Sequence, residues 1–542
     1  MRVKEELKKI IEEAASRAGF DLPNILISQS DFGDYSTQAA LTIKNGKKPS
    51  ENSKAIIKNL PKNEMIAKAE EKNGFINFEL SEYFLIESMK NILKAKEKFG
   101  RNPEGKGESI QVEFVSANPT GPLHLGNARG GPLGDVIANV LAADGAEIER
   151  EFYVNDVGNQ AMHFGETLQY FKKKGKKDEI KFPDKGYPGA YVEEVAKKIP
   201  DSDNIKKLAK DGIDQMMTEI KATLSRMGIK YDKFVYESEV LSSGKTSAII
   251  KELEKKGETK KQEGAVWFAG SSLKLLKDRE CVLVRSDKDK TPTYYANDIA
   301  YHKDKFDRGF DTVIDVWGSN HCGHMPRLKE ALSSLGIESD RLKILLYQYV
   351  RLKHGDKIER MAKREGTYIT ADQVLDAVGK DVFRMMMLMN SPNTHFDFDL
   401  ELAKKQSREN PVYYLQYATA RIAGILRKCH SALDAESINK IDSRLRGNDK
   451  LVYTNKYELG LIKELIKFPD LINEISHSLE VHHLPHFGIN LAKKFHQFYK
   501  NCPVIKAENE EIKNSRIALI KATQIVLKNT LKLLGISAPE KM

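Results

Sequence analysis

The chain has 542 residues, of which 87 are Lys or Arg and 77 are Asp or Glu, so its formal net charge is +10. A hydrophobic fraction of 40% and a charged fraction of 30% exclude a disordered chain and a collagen-like repeat. The four cysteines lie far apart, which excludes a disulfide scaffold and favours a reducing compartment. At about 150 residues per domain, the length predicts three or four domains.

The N-terminus has the pattern of an amphipathic helix. Residues 1–18 carry seven Lys and Glu side chains after Val3, while Leu7, Ile10 and Ala14 recur at helical spacing. A secretory signal would have an uncharged apolar centre there, and no apolar run approaches the roughly 20 residues that span a bilayer. We therefore expect a cytoplasmic protein with no membrane partner.

The first part of the chain, residues 1–105, reads as a small α+β domain. The initial helix is followed by a short apolar run at 25–27, a polar turn at 31–34 and a strand at 74–78. Residues 94–108 are charged and contain several glycines and a proline, which is typical of a linker.

From residue 109 the pattern changes to alternating strands and helices. A strand at 110–114, a Gly/Pro-containing loop, a helix through 133–141 and a strand at 148–154 form a βαβ unit. This is the signature of a parallel nucleotide-binding sheet. Further α/β pattern at 312–317 and 341–350 indicates that this Rossmann-like domain extends over 106–398, with insertions.

Residues 399–542 read as an all-helical domain. Asn410 and Pro411 form a helix start, and Gly535 ends the last helical pattern. Residues 431–450 interrupt two helical patterns with polar residues, so we expect an exposed insertion there.

The segment with the strongest chemical signal is EFVSANPTGPLHLGNAR, residues 113–129. A polar loop leaves a strand and enters a helix whose first turn carries His124 and Gly126. Unpaired N–H groups at a helix start suit phosphate, and a glycine lets a nucleotide approach the backbone. On its own, an HxG sequence is more often a structural turn.

The whole segment resembles the HIGH signature of class I aminoacyl-tRNA synthetases, with His124, Leu125, Gly126 and Asn127 at its four positions. Residues 117–123 resemble the version found in arginyl-tRNA synthetases. This resemblance implies a class I catalytic domain, an N-terminal tRNA-binding domain and a helical anticodon-binding domain. It also implies that L-arginine is activated with ATP and transferred to the 2′-hydroxyl of the terminal adenosine of arginine tRNA. Asn127 departs from the usual histidine.

A second signature stands at 357–370, where Arg360-Met361-Ala362-Lys363 resembles the family's KMSKS loop. The resemblance implies that Lys363 neutralises charge on the leaving pyrophosphate. The catalytic residues that it implies are His124, Gly126, Asn127 and Lys363. The further ATP-binding residues that it implies are Pro119, Thr120, Gly318, His321 and Met361.

A third segment, TYYANDIAYH at 293–302, resembles the family's arginine pocket. A planar, permanently charged guanidinium is best held by carboxylate and aromatic groups. The resemblance assigns these roles to Asp298 and Tyr294, and contacts to the rest of the substrate to Glu113, Ser116 and Asn118.

His321, Cys322 and His324 lie close enough in sequence to suggest metal binding, but no fourth ligand follows at zinc spacing. The segment instead resembles the one that closes the nucleotide and arginine pocket in the family. We expect no resident metal, and Mg²⁺ only as a companion of ATP.

The remaining expectations concern tRNA. By resemblance, Phe75 stacks on an unpaired base and Asn77 reads its edge, while Tyr417 and Arg421 meet the anticodon stem. Without the resemblance, core packing is the simpler interpretation of Phe75 and Tyr417. The family also favours a monomer.

Two other classes of function stay open from the sequence. A different class I synthetase or a small nucleotidyltransferase would also carry HLGN, although the latter would have no reason for flanking tRNA domains. A non-enzymatic relative that only binds tRNA would account for the departures at Asn127, Ala362 and Cys322. The intact segment around Asp298 argues against it.

Overall fold

The N-terminal region is an antiparallel sheet of four described strands, in the order β1-β2-β4-β3, with helices packed on it. The computed structural model describes residues 2–102, 107–176, 178–270, 281–286, 291–355, 357–359, 369–431 and 451–542. The elements of this region are α1 (Val3–Arg17), β1 (Ile27–Gln29), β2 (Tyr35–Thr37), α2 (Pro49–Lys58), β3 (Ile66–Lys72), β4 (Phe75–Leu80) and α3 (Glu82–Ala95).

The predicted amphipathic helix is α1, which buries Leu7, Ile11 and Ala14. Strands β3 and β4 form a hairpin around Asn73 and Gly74, both of which have a positive φ, of 54° and 84°. An Asn-Gly pair is the preferred sequence for such a turn because both residues tolerate that conformation.

The central region is built on a sheet of five described strands, all parallel, in the order β12-β11-β5-β6-β7. This confirms the predicted Rossmann-like α/β architecture. Its elements up to the second sheet are β5 (Ser109–Phe114), α4 (Leu125–Ala128), α5 (Gly130–Ala143), β6 (Glu147–Val154), α6 (Gly158–Lys173), α7 (Ala190–Lys198), α8 (Ile205–Arg226), β7 (Lys233–Tyr236), α9 (Glu237–Ser242) and α10 (Lys245–Lys255). The remaining elements are β8 (Thr259–Gln262), β9 (Ala265–Phe268), β10 (Cys281–Val284), α11 (Tyr294–Asp307), β11 (Thr312–Gly318), α12 (Met325–Ser334), β12 (Leu342–Tyr347), β13 (Val350–His354), β14 (Lys357–Glu359), α13 (Ala371–Leu388) and β15 (Phe396–Asp399).

The βαβ unit predicted from residues 110–154 is present as β5, α5 and β6. Helix α5 is buried almost throughout because it packs directly on the sheet. A Cβ at Gly134 would lie 2.2 Å from Phe114 Cγ, so this glycine permits the close approach of helix and strand.

One predicted segment is divided differently in the structure. The apolar stretch at 341–350 is split between β12 and β13, which belong to different sheets.

The C-terminal region is helical, as predicted. Its elements are α14 (Leu400–Lys404), α15 (Pro411–Ser431), α16 (Lys456–Leu465), α17 (Phe468–Ser478), α18 (His483–Asn501) and α19 (Glu510–Leu534). Asn410 Oδ1 accepts a hydrogen bond from the Val412 amide at 3.1 Å, as expected of a helix start. The predicted insertion at 431–450 lies outside the described residues from 432 onward. None of the described helices is long and apolar enough to cross a bilayer.

Polar contacts tie the three regions together. The carboxylate of Asp470 in α17 accepts hydrogen bonds from the Lys4 amide at 3.2 and 3.3 Å, at the start of α1. Arg384 in α13 is fully buried and donates to Leu534 O at 2.8 Å, to Met227 O at 3.1 Å and to Asp135 Oδ2 at 2.5 Å. The end of α19 therefore docks on the central region through one guanidinium.

This docking predicts a large cost for a side chain at Gly535. The residue has φ +68°, and a Cβ there would lie 2.3 Å from Arg384 Nη2. Gly535→Ala should therefore lower the free energy of unfolding by about 2–4 kcal/mol, from backbone strain and overpacking together. Thermal unfolding measures this. Gly257→Ala is the control, because Gly257 has φ +77° but open space around it, and only the strain of about 1 kcal/mol applies. Equal shifts for both variants would contradict the docking argument.

Candidate active site

A cleft of about 1060 Å³ opens at the carboxyl ends of the central parallel strands. This is the edge at which ligands bind in open α/β sheets. Eight residues selected from the sequence line this cleft: Glu113, Ser116, Asn118, Asn127, Tyr294, Asp298, Gly318 and His321. Residues from the loop after β5, from α11 and from the segment after β11 are thus brought together.

Four other predicted site residues do not line the cleft. Pro119 and Thr120 are buried, and the Thr120 carbonyl accepts a hydrogen bond from Tyr191 Oη at 2.7 Å. His124 and Gly126 lie at the start of α4, where His124 Nδ1 accepts a hydrogen bond from the Asn127 amide at 3.2 Å. The histidine therefore caps the short helix that carries its own motif.

The loop after β5 begins with a strained turn. Val115 and Ser116 both have a positive φ, of 68° and 35°, which non-glycine residues rarely adopt. Ser116 Oγ stabilises this turn by donating to Glu113 Oε1 at 2.7 Å and accepting from the Tyr153 amide at 3.0 Å. The position of Asn118, two residues later, depends on the turn.

Beneath the cleft lies a buried ionic network centred on Lys305. Its fully buried ammonium donates to Glu113 Oε2 at 2.6 Å and to Asp315 Oδ1 at 2.9 Å. His302 Nε2 lies 2.8 Å from Asp315 Oδ2, and Tyr301 Oη donates to Glu113 Oε2 at 2.8 Å. The carboxylates raise the pKa of Lys305 in spite of its burial, so the ammonium stays charged.

Three residues of this network carry the donor atoms of a possible metal site. Glu113, His302 and Asp315 offer ligand atoms within 4.8 Å of one another. The Lys305 ammonium already lies between the two carboxylates, so it provides the positive charge that a metal would bring. We assign no metal to these residues.

Glu113 lines the cleft and is also held by this network. Its oxygens accept hydrogen bonds from Lys305, Tyr301 and Ser116, and it shares the charge of Lys305 with Asp315. The predicted contact of its carboxylate with the substrate stays a prediction. Through Ser116, the same carboxylate holds the strained turn.

Glu237 is a carboxylate of the cleft that the sequence analysis missed. It is buried, lines the cleft and accepts a hydrogen bond from Asn297 Nδ2 at 2.8 Å. The Asn155 amide, oriented with its nitrogen toward Glu237, donates to Oε2 at 3.0 Å. Burial, together with the nearby Asp298 and Asp156 carboxylates, raises the pKa of Glu237 to about 7. An acidic residue directly after β7 was the available signal, since β7 ends at the ligand-binding edge.

Asp298 and Tyr294 lie one helical turn apart on α11, as predicted, and both line the cleft. Tyr294 is 65% exposed. Asp298 Oδ2 lies 2.9 Å from His324 Nε2, and its side chain is 25% exposed. Glu237 and Asp298 thus form an acidic side of the cleft that is separate from the Lys305 network below.

The HLGN segment is hydrogen-bonded to the end of the second predicted signature and to the residue after it. The Leu125 amide donates to Ile369 O at 3.0 Å, and the Ala371 amide donates to Leu123 O at 2.8 Å. The predicted residues Met361 and Lys363, with Arg360 and Ala362, lie outside the described residues.

The residues predicted to contact RNA in the N-terminal region have different environments. Phe75 is 38% exposed at the start of β4. Asn77 is only 5% exposed, and its Oδ1 accepts a hydrogen bond from Ser30 Oγ at 2.8 Å. The Asn77 side chain is therefore hydrogen-bonded within the domain, and its contact with a base stays a prediction.

Tyr417 and Arg421 lie together on α15. The Arg421 guanidinium lies over the Tyr417 ring, with 5.5 Å from Cζ to the centroid, and over the Tyr499 ring at 4.6 Å. Both residues are half-buried, so they form part of a cationic and aromatic surface and not of a closed core.

Comparisons with known proteins match every region of the chain. Family models described as arginyl tRNA synthetase N terminal domain, tRNA synthetases class I (R) catalytic domain and DALR anticodon binding domain match residues 2–80, 88–395 and 415–542. An arginine–tRNA ligase of Carboxydothermus hydrogenoformans is 39% identical, covering 100% of this chain and 99% of the relative. One from Moorella thermoacetica is 38% identical, covering 98% and 96%. The structure of a Thermus thermophilus arginyl-tRNA synthetase has the same fold, with a TM-score of 0.80 at 23% identity over 100% of both chains.

The buried network predicts a strong effect of removing Lys305. Lys305→Met leaves Glu113 and Asp315 buried without a cation, which should lower the free energy of unfolding by about 3–5 kcal/mol. Denaturant unfolding measures this. Lys303→Met on the same helix is the control, because Lys303 pairs with the exposed Asp307 and its loss should cost under about 1 kcal/mol. A Lys305 variant as stable as the control would show that the network does not bear on stability.

Proposed function

The chain belongs to the arginyl-tRNA synthetase family, and from that premise we propose how its own residues perform the reaction. The activity is ATP-dependent: arginine is activated to arginyl-adenylate with release of pyrophosphate, and then transferred to tRNA with release of AMP. In a class I enzyme, the 2′-hydroxyl of the terminal adenosine accepts the arginyl group.

The observation that carries the arginine assignment is the acidic side of the cleft. Glu237 is buried with hydrogen-bond donors around it but with no cationic partner among the described residues. Asp298 lies on the same side, next to the exposed ring of Tyr294. A guanidinium offers five N–H donors and a permanent charge, so it fits two carboxylates and a ring better than a compact ammonium does. Ser116 and Asn118, after the strained turn, are placed to contact the rest of the amino acid.

ATP is assigned to the side of the cleft that carries the HLGN segment. Asn127, Gly318 and His321 line the cleft and are assigned to ATP together with this segment, while His124 and Gly126 lie at the start of the short helix. Pro119, Thr120, Met361 and Lys363 are assigned to ATP by family resemblance, and Lys363 to the departing pyrophosphate. Mg²⁺ accompanies the phosphates as part of the substrate, and we expect no resident zinc.

The reaction requires little covalent chemistry from the protein itself. The arginine carboxylate attacks the α-phosphorus of ATP, and the bond to pyrophosphate breaks. The tRNA hydroxyl then attacks the arginyl carbonyl, and AMP leaves. Orientation of the reactants and neutralisation of phosphate charge account for most of the acceleration in such transfers.

The tRNA is assigned to two surfaces that flank the catalytic region. Phe75 is exposed for stacking in the N-terminal region, while Tyr417 and Arg421 present a ring and a cation in the helical region. We place the three domains at residues 1–105, 106–398 and 399–542, and propose that the protein acts in the cytoplasm as a monomer.

The direct test of this function is ATP–pyrophosphate exchange with each of the twenty amino acids, with and without tRNA. Exchange with arginine supports the assignment, and its appearance only with tRNA would show that activation depends on the second substrate. Exchange with a different amino acid would overturn the pocket assignment. Folded protein that binds tRNA but gives no exchange would favour a non-enzymatic role.

Asp298→Asn keeps the size of the side chain and removes its charge. Since a hydrogen bond to a charged group contributes about 1.5–3 kcal/mol, the KM for arginine should rise by about 10- to 100-fold while the KM for ATP changes little. Steady-state exchange kinetics measure both constants. Asp307→Asn, at an exposed position on the same helix, should leave both constants near their original values. Equal changes in the two KM values for Asp298→Asn would remove it from the specificity residues.

The raised pKa of Glu237 predicts a pH dependence of arginine binding. Its pKa of about 7 means that the carboxyl is mostly protonated at pH 6 and mostly ionised at pH 8. A guanidinium binds the ionised form, so the KM for arginine should fall by about tenfold from pH 6 to pH 8.

Glu237→Gln should abolish this pH dependence and keep the KM for arginine high throughout. Glu239→Gln, on the exposed side of the same helix, should retain it. A profile of the Glu237 variant that still follows pH would assign the titration to a different group.

A further inference from the structure

Arg129 is a fully buried guanidinium placed two residues after Asn127. It lies at the junction of the short helix α4, which carries the HLGN motif, and the long helix α5. It is among the largest fully buried side chains of the described residues.

The described hydrogen-bond partners of Arg129 are neutral main-chain carbonyls, and its Cζ lies 4.8 Å from the centroid of the Phe396 ring. Nη1 donates to Gln348 O at 2.9 Å, to Thr394 O at 3.0 Å and to Pro392 O at 3.3 Å. Nη2 donates to Ser391 O at 3.0 Å and reaches Asn390 O at 3.5 Å. The guanidinium thus joins the HLGN helix to two segments: residues 390–394 and Gln348, at the start of the loop after β12.

A stabilising role alone does not explain this arrangement. A buried cation without an anion loses its hydration and gains no ion pair, and a well-packed apolar side chain is often as stable. Burial lowers the pKa of Arg129 to about 10 for the same reason. The planar guanidinium, in contrast, presents several N–H donors at fixed angles. It can therefore hold two backbone segments in a fixed geometry, which an apolar side chain cannot do.

Residues 390–394 are themselves held from two other sides. They lead into β15, which runs parallel to β13. On the other side, Ser391 Oγ donates to Glu480 Oε2 at 3.3 Å, and the neighbouring Met389 O lies 2.9 Å from His486 Nε2. Arg129 therefore fixes the HLGN helix against a segment that also contacts the C-terminal helices.

We propose that Arg129 is a positioning residue for the ATP site: its guanidinium fixes the helix that carries His124 and Asn127 against residues 390–394. It touches no substrate and acts through the position of that helix. This inference rests on the proposed assignment of ATP to the HLGN side of the cleft.

The proposal predicts an effect on ATP and not on arginine. The carboxylates of the arginine side are held by other groups: Asn297 and Asn155 donate to Glu237, and His324 lies 2.9 Å from Asp298. None of the hydrogen bonds described for Arg129 reaches these residues. Loss of the Arg129 guanidinium should therefore displace the helix assigned to ATP and leave the protein carboxylates of the arginine side in place.

The test compares Arg129→Met with Arg516→Met in the full-length protein. Arg516 is also a buried guanidinium, but it lies within the C-terminal helices, where it donates to Glu458 Oε1 at 2.7 Å and to Pro503 O at 2.7 Å. Thermal unfolding of each variant identifies the temperature range in which it is folded. ATP–pyrophosphate exchange with arginine and saturating tRNA then gives the KM for ATP and for arginine.

Arg129→Met should raise the KM for ATP by about tenfold and that for arginine by less than about twofold, because displacement of a binding group by about 1 Å is costly. Arg516→Met should change neither constant by more than about twofold. Equal KM values for ATP in the two variants, or equal increases for both substrates in the Arg129 variant, would overturn the proposal.

If Arg129→Met does not fold, Arg129→Lys provides the test in its place. A single ammonium keeps the charge but cannot hold carbonyls from both segments, so the KM for ATP should still rise by at least about threefold. An unchanged KM for ATP would overturn the proposal. Absence of arginine-dependent exchange in the unmodified protein would instead reject the proposed function, so the two failures are distinguishable.

Discussion

The arrangement of the cleft depends on a lysine that is buried between carboxylates at the ends of the central strands. Lys305 pairs with both Glu113 and Asp315, which come from adjacent strands of the parallel sheet. The ammonium between them reduces the repulsion that two neighbouring buried carboxylates would otherwise have. Glu113 in turn accepts the hydrogen bond from Ser116 that holds the strained turn after β5. The ionic network therefore fixes the start of the loop that we propose to bind the substrate.

This network also divides the charge of the cleft into two parts. Glu113 and Asp315 share Lys305, and Glu151 pairs with Arg308 at 2.6 Å, so each of these lower carboxylates already contacts a cation. At the side of the cleft, neither Glu237 nor Asp298 pairs with a Lys or Arg among the described residues, and Asp298 lies 2.9 Å from His324. An acidic side that is balanced only when a cation binds gives selectivity for a charged side chain, because a neutral analogue leaves buried polar groups unpaired. On this account, selection at the binding step is sufficient to distinguish arginine from other amino acids.

The architecture could be predicted from the sequence where the signal is local. The βαβ unit, the helix start at Asn410 and Pro411, and the end of the last helix at Gly535 follow from spacing and from residues with special backbone preferences. The family likeness supplied the candidate residues of the cleft, and eight of them line it. Glu237 was missed because it lies far in sequence from the recognised motifs and reaches the cleft only through the order of strands in the sheet. Burial of Asn77 was missed because it depends on a loop that covers the strand.

The central claim is that the cleft selects arginine by the charge of its guanidinium, through Glu237 and Asp298. The most direct measurement is ATP–pyrophosphate exchange with arginine and with citrulline, the neutral isostere in which a urea group replaces the guanidinium, in the presence of tRNA. The account predicts that kcat/KM for citrulline is lower than that for arginine by about 10³-fold or more. The reason is that the neutral urea group leaves the charge of the two carboxylates unpaired. Comparable values for the two amino acids would contradict it.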